Sequence, residues 1–357
     1  MKILILCECD GTISTHDVGH ALPNHFSSAD GKTVDPAFRS LHAFCNARGI
    51  DLKIVSDGSC KKEILQGYRK EYDSIVYIGN SLSDGCAARE ADFVFAKDSL
   101  YTTCVDEDIP CHFYQDFEDI LRDMKKEIRG VIFDLDGTLI DASEAIYLGL
   151  KEVWRAYGRE IFPVEDLGKH LKADLETTLG FFFPAKEVPK AIPIMRKKYE
   201  EIYLEKTRFI NGTEEVLRVL HSRGIVLGVA SNKFGRFSRG AVMHLGANEY
   251  FAAVIGAGDV PRNKPFPDML HAALDKMKLT ARDVVFVGDT PSDIETGKNA
   301  GIDVYALATG FHSKGELSEA RPKRILRTLH DLIDLTAEPE QTETTTKVPF
   351  FLRPRIS

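Results

Sequence analysis

The chain has 357 residues, more than one hydrophobic core ordinarily serves, so two domains are expected. Its 43% hydrophobic and 28% charged residues are the composition of a soluble globular protein. The formal charge of −8 argues against a general nucleic-acid or anionic-membrane binder, and no apolar run reaches the ~18 residues of a membrane span.

In chain order, the opening MKILILCECDGT reads as a buried strand. Its apolar run is too short for a secretory leader and lacks a small-residue cleavage site. Strands are expected at 2–7, 51–56, 74–79 and 92–96, and helices at 35–48, 60–71 and 115–126. The charged stretch KKEIR at 125–129 separates this half, 1–125, from a second domain at 126–337. There RGVIFDL begins a new strand, and residues 142–205 carry a mostly helical pattern. GIVLGVAS, YFAAVIGA, DVVFVGD and DVYALAT follow as strands, with helices such as 212–223 and 267–278 between them. Apolar strands separated by helices predict an α/β chain of two tandem, doubly wound parallel sheets, whose ligands gather at the carboxyl ends of the strands. Residues 338–357, rich in Thr, Glu and Pro, read as a disordered tail.

The seven cysteines, Cys7, Cys9, Cys45, Cys60, Cys86, Cys104 and Cys111, all lie in the first half. None forms a C-x-x-C pair, so a zinc site lacks its spacing and the thiols read as those of a reducing cytoplasm.

The second half holds four chemical motifs, each at a strand end or just after one. In FDLDGT, Asp134 and Asp136 leave the strand on one side, and Gly137 permits a tight turn behind them. Two carboxylates so close call for a cation or a shared proton, and hard oxygen donors suit Mg2+. LGVAS ends in Ser231 and Asn232, a hydroxyl and amides fit for phosphate oxygens. RNKPFPD places Lys264 before a proline that sets the start of a helix. VVFVGDTPSD adds Asp289 and Asp293, further oxygen ligands for a metal or its surroundings.

This order of motifs resembles the haloacid dehalogenase superfamily of aspartate-nucleophile hydrolases over about 128–335. GDVPRNKPFPDML and VGDTPSDIETGKNAGI look like its phosphoglycolate phosphatase branch. The resemblance implies a helical cap at 142–205, Asp134 as nucleophile, and Asp136 as the acid and base. It implies Mg2+ on Asp134, the Asp136 carbonyl and Asp289, with Asp293 in support. Thr138, Ser231, Asn232 and Lys264 would then hold the phosphoryl oxygens of a small phosphorylated metabolite. In the cap, LGKHLKAD offers Lys169, His170 and Lys172 to a carboxylate-bearing substrate such as phosphoglycolate.

The first half repeats the plan in altered form. CECDGTIS mirrors FDLDGTLI, IVSDG supplies Ser56, SCKKEI supplies Lys61, and VYIGNSLSD parallels the fourth motif. It resembles the phosphoserine-phosphatase-like branch of the same superfamily, including its methionine-salvage enolase-phosphatase members, over about 1–122. Three departures mark it as degenerate. Glu8 stands at the nucleophile position, and Asn80 stands at a metal-binding one. Ser56 to Asn80 spans 80 − 56 = 24 positions where Ser231 to Asp289 spans 289 − 231 = 58, so a strand and a helix are missing. The region between Thr12 and Ser56 is also too short for a substantial cap. The expectation is one catalytic site and one worn copy, which serves as a structural module or binds a protein partner. Within the fold, a sugar-phosphate mutase is the alternative to a phosphomonoesterase.

Overall fold

The computed structural model describes residues 2–8, 36–55, 61–163, 175–310 and 312–336. They fall into two compact units, one within Met1–Glu127 and the other Ile128–Thr336. Ser56, the cap-loop residues Lys169, His170 and Lys172, and the 338–357 tail lie outside the described residues.

The first unit runs β1 (Ile3–Glu8), α1 (Pro36–Asn46), β2 (Asp51–Val55), α2 (Lys61–Tyr68), β3 (Ser74–Gly79) and a short α3 (Gly85–Ala88). It continues with β4 (Phe93–Ala96), α4 (Asp98–Asp106), β5 (Cys111–Phe113) and α5 (Phe117–Lys125). All pairings are parallel, in the order β2-β1-β3-β4-β5. Every residue of β1 and β3 is buried, as a sheet covered on both faces requires. Ile3, Ile5, Val76, Ile78, Phe93 and Phe95 form one face, packed on Phe38 and Leu41 of α1 and Phe117 and Ile120 of α5. The sequence pattern missed α4 and β5. DSLYTTCVD carries Thr and Val, which favour extended backbone, and β5 is only three residues long.

The second unit begins with β6 (Gly130–Phe133), β7 (Ile140–Asp141), α6 (Ser143–Ala156), α7 (Leu175–Phe182), α8 (Val188–Lys206) and β8 (Arg208–Phe209). Then come α9 (Thr213–Ser222), β9 (Val226–Phe234), α10 (Gly235–His244), β10 (Phe251–Ala257) and α11 (Asp268–Met277). It ends with β11 (Val284–Gly288), α12 (Pro291–Ala300), β12 (Asp303–Leu307), α13 (Lys314–Glu319), β13 (Arg324–Leu326) and α14 (Asp331–Leu335). The main sheet is parallel, in the order β10-β9-β6-β11-β12-β13. The two-residue strands β7 and β8 pair antiparallel, Ile140 opposite Phe209, and bracket α6, α7 and α8. Those three helices are an insert with its own core of Leu150, Val153, Trp154, Leu179, Val188 and Met195.

The centre of this sheet positions the site. Phe133 at the end of β6 pairs with Val229 of β9 on one side and Val287 of β11 on the other. The next residues of the three strands therefore emerge side by side. Set against the first sheet, β9-β6-β11-β12-β13 has the same order as β2-β1-β3-β4-β5, and β10 is the additional edge strand. The short spacing between Ser56 and Asn80 thus corresponds to the absence of β10 and α11 counterparts among the described residues.

Candidate active site

Asp134 follows β6 directly. Its amide donates to Val287 O at 2.8 Å, continuing the ladder by one residue, and the residue is 7% exposed. The chain then turns back, with Gly137 N donating to Ile140 O at 2.9 Å. Gly137 has φ +84°, and a Cβ there would run into the Asp289 carboxylate. The glycine is thus fixed twice, by backbone conformation and by the close approach of an acidic group.

Asp289 follows β11 and accepts a hydrogen bond from Thr138 Oγ1 at 2.7 Å on Oδ1. Asp293 lies in the first turn of α12, where Thr290 N and Oγ1 donate to its Oδ2 at 3.0 and 2.7 Å. Its own amide donates to Thr290 Oγ1 at 3.1 Å, which completes a capping box. Lys264 Nζ lies 2.8 Å from Asp134 Oδ1 and 2.6 Å from Asp293 Oδ1. The lysine is held from behind. Its amide donates to Asn232 Oδ1 at 2.9 Å, Asn232 Nδ2 donates to its carbonyl at 3.4 Å, and Asn299 Nδ2 donates to Pro265 O at 2.9 Å. The Lys264–Pro265 peptide is cis, and α11 begins three residues further on, at Asp268.

These contacts refine the expected roles. Asp134, Asp289, Asp293 and Lys264 are brought together. Ser231 lies beside them in sequence order on β9, buried, and its Oγ accepts from Lys233 N at 3.3 Å. The Thr138 hydroxyl is engaged with Asp289 and the Asn232 side chain with the backbone of Lys264, so both align other site residues here.

The site has a surplus of negative charge. Oxygens of Asp134, Asp289 and Asp293 all lie within 4.8 Å of one another, and all three residues are buried. Burial raises the Asp134 carboxyl to about 6, with Lys264 opposing and Asp293 reinforcing the shift. Burial, then Asp134 and Asp293, hold Asp289 well above the ordinary carboxyl range. One ammonium, Lys264, faces all three. Burial disfavours that charge, but Asp134 and Asp293 outweigh it and leave the group above its usual range. Three clustered hard oxygen donors with one cationic neighbour fit a divalent cation such as Mg2+.

Sequence reasoning missed Lys233. Its Nζ lies 2.7 and 2.8 Å from the two oxygens of Asp136. It follows Ser231 and Asn232 directly, but a lysine beyond the end of the expected strand GIVLGVAS reads as a solvated charge, and nothing in the spacing pointed to Asp136; the strand in fact runs on to Phe234.

The first unit has a related cluster. Lys61 Nζ lies 3.3 Å from Glu8 Oε1 and 2.6 Å from Asp84 Oδ1, with all three residues buried. Tyr77 OH also donates to Asp84 Oδ1, at 2.7 Å. Among the described residues, the second unit alone brings three potential metal-ligating acids together.

Residues 131–307 match the haloacid dehalogenase-like hydrolase family. Phosphoglycolate phosphatases of Escherichia coli O157:H7 and Salmonella typhi are each 29% identical over 238 residues, 60% of this chain and 94% of theirs. Among solved structures, a predicted phosphoglycolate phosphatase from Haemophilus somnus aligns with a TM-score of 0.54 at 20% identity, over 60% of this chain and all of that one. A haloacid dehalogenase-like family hydrolase from Streptococcus pneumoniae aligns with a TM-score of 0.54 at 22% identity, over 58% of this chain and 97% of that one. These structures share the fold of the second unit.

Proposed function

Residues 131–307 are a haloacid dehalogenase-like hydrolase domain and the chain is a phosphatase; from that premise we propose a Mg2+-dependent phosphomonoesterase with an aspartyl-phosphate intermediate. The favoured substrate is a small phosphate ester of the phosphoglycolate kind, the substrate named for its relatives. The observation that carries the reading is the buried Asp134–Asp289–Asp293 cluster facing Lys264.

Asp134 attacks phosphorus through a carboxylate oxygen, and the bond from phosphorus to the ester oxygen breaks. Asp136 gives a proton to the departing alkoxide and then takes one from the water that cleaves the aspartyl phosphate, which returns both carboxyls to their starting forms. Lys264, anchored by Asn232 and Asn299, offsets the charge on the phosphoryl oxygens. Ser231 and the amides that follow it complete the phosphate cradle. Asp134, the Asp136 carbonyl and Asp289 would hold the ion, with Asp293 in support. When bound, the ion supplies positive charge that lets a carboxylate approach an anionic ester. The α6–α8 insert acts as the cap that selects the alcohol part of the substrate.

The test is phosphate release from phosphoglycolate and from p-nitrophenyl phosphate, with Mg2+ and with EDTA. Release in both conditions, or conversion of a sugar phosphate without release, overturns the reading.

A further inference from the structure

We propose that Lys233 is a positioning residue for Asp136, seated by Tyr199 of the cap helix α8, so that α8 sets where the acid–base carboxylate points. The inference rests on the reading of Asp136 as the proton-transfer group.

Asp136 sits on the turn after β6, and its side chain is 30% exposed. Lys233, at the end of the neighbouring strand β9, is the buried partner, with a side chain 6% exposed. Its Nζ contacts both carboxylate oxygens, at 2.7 and 2.8 Å, and the two short contacts from one buried ammonium hold the carboxylate in place. Among the described residues no other side chain bonds to those oxygens. A carboxylate on a turn without such a partner rotates freely, and displacement by about an ångström can cost ~10²-fold in rate. Stability does not explain a lysine at this position, because a buried ion pair adds little net stability over an apolar pair. A fixed acid–base carboxylate does explain it.

The seat for Lys233 comes from the cap. Its Nζ lies 5.1 Å from the centre of the Tyr199 ring. Tyr199 stacks on Tyr203 at 5.6 Å and meets Phe237 of α10 edge-on at 5.5 Å. Ala145 of α6 joins the same apolar cluster. This is where the inserted helices pack on the sheet domain, and Lys233 lies at its edge. A shift of α8 relative to β9 therefore moves the surface under Lys233 and, through it, Asp136. A cap that selects substrate is thereby linked to the group that moves the proton.

The test compares kcat/KM, with Mg2+ present, for an alkyl ester, phosphoglycolate, and an aryl ester, p-nitrophenyl phosphate, because kcat/KM reports the steps up to departure of the alcohol and not the later hydrolysis of the aspartyl phosphate that both esters share. An alkoxide needs a proton to leave and a nitrophenolate does not, so loss of proton transfer lowers the alkyl rate selectively. Asp136→Asn should lower the alkyl rate at least about tenfold more than the aryl rate. Equal losses there would remove Asp136 as proton donor and the proposal with it. Given selectivity in Asp136→Asn, Lys233→Met should show the same selectivity, about tenfold, and Lys233→Arg should recover most of the ratio. Tyr199→Leu should shift the ratio the same way by less. An alkyl-to-aryl ratio within about twofold of wild type in folded Lys233→Met overturns the proposal and leaves the role of Asp136 standing. If the methionine variant does not fold, the same result in Tyr199→Leu overturns it.

Discussion

Two clusters built on the same sheet order differ in charge balance, two carboxylates to one ammonium in the first unit and three to one in the second. In the first unit Lys61 lies between Glu8 and Asp84; in the second Lys264 lies between Asp134 and Asp293. The backbone around them is shared as well. Ser81 caps Asp84 as Thr290 caps Asp293, and Gly79 and Gly288 both leave room for the aspartate five residues on. Beyond Glu8 in place of Asp134, the difference lies in two substitutions. Asn80 stands where the second unit has Asp289, and Tyr77, which donates to Asp84, stands where the second unit has Phe286. Burial works against the ionised Asp84, yet Lys61, Tyr77 and Ser81 together hold its carboxyl below the ordinary range. Asp289 is held well above that range. One cluster is satisfied by its own side chains, while the other keeps a surplus of carboxylates that calls for an added cation. Retained architecture and retained chemistry are thus separable: these substitutions change the balance of carboxylates while the order of the five shared strands stays.

The comparison breaks most sharply if both clusters turn out to be active. Asp134→Asn, nearly isosteric, should abolish Mg2+-dependent phosphate release, by ~10³-fold or more, with unchanged circular dichroism. Residual release that disappears on adding Glu8→Ala would show a working first unit, and Glu8→Asp alone should restore nothing. Lys264→Met comes next, with a loss on the order of 10²-fold in turnover, about 3 kcal/mol. Weaker folding at an unchanged rate would reduce Lys264 to a structural group.

The surplus of charge also has a signature in stability. A carboxyl held above its unfolded value costs nothing below about pH 4, where it is protonated in both states, and costs stability as the pH rises. Asp134, raised to about 6, and Asp289, raised further, both follow that sign. Asp289→Asn should therefore raise the Tm of the EDTA-treated protein by about 3 °C at pH 7, and by less at pH 5. Mg2+ should raise the Tm of the wild type, and Asp289→Asn should remove that increase. A variant less stable than wild type in EDTA would mean that the three acids are not in conflict.

Much of this was legible in the sequence because the chemistry sits where strand periodicity ends. FDLDGT, RNKPFPD and VGDTPSD each follow an unambiguous apolar strand or mark a helix start, so Asp134, Lys264, Asp289 and Asp293 could be expected together from the order of the strand-end motifs and the family resemblance they carry. What could not be read depends on side-chain direction. Asn232 and Thr138 carry the right chemistry for phosphate, but only the geometry shows them bonded to Lys264 and Asp289. Lys233 and Tyr199 are 34 positions apart by their numbers, and no local pattern joins a lysine at a strand end to a helix tyrosine. In the first unit, Glu8 and Asn80 announced the loss. Lys61, Asp84 and Tyr77 did not announce how it is compensated, because that compensation is a side-chain contact between the start of α2, the interior of β3 and the turn before α3.

The smallest effect on turnover, and the one that sharpens the comparison furthest, belongs to Lys61. If the first cluster needs no added cation and is catalytically silent, its lysine matters to folding alone. Lys61→Met leaves Glu8 and Asp84 buried, at 2% and 0% exposure, without the ammonium that faces both. Removing one partner of a buried ion pair costs about 3–5 kcal/mol, because the remaining charge keeps its desolvation penalty. Tyr77 and Ser81 still bond Asp84, so the lower end of that range is expected. The sign with pH distinguishes this from a packing defect. Asp84 is held low in the wild type, so its share of stability is present above about pH 4 and is lost as the pH falls through its depressed value. The variant should therefore unfold with a lower Tm at pH 7, and the gap from wild type should narrow toward pH 3. Phosphate release by the second unit should stay within about twofold throughout, at temperatures where both proteins are folded. A large loss of turnover in Lys61→Met would show that the first unit contributes to the chemistry after all.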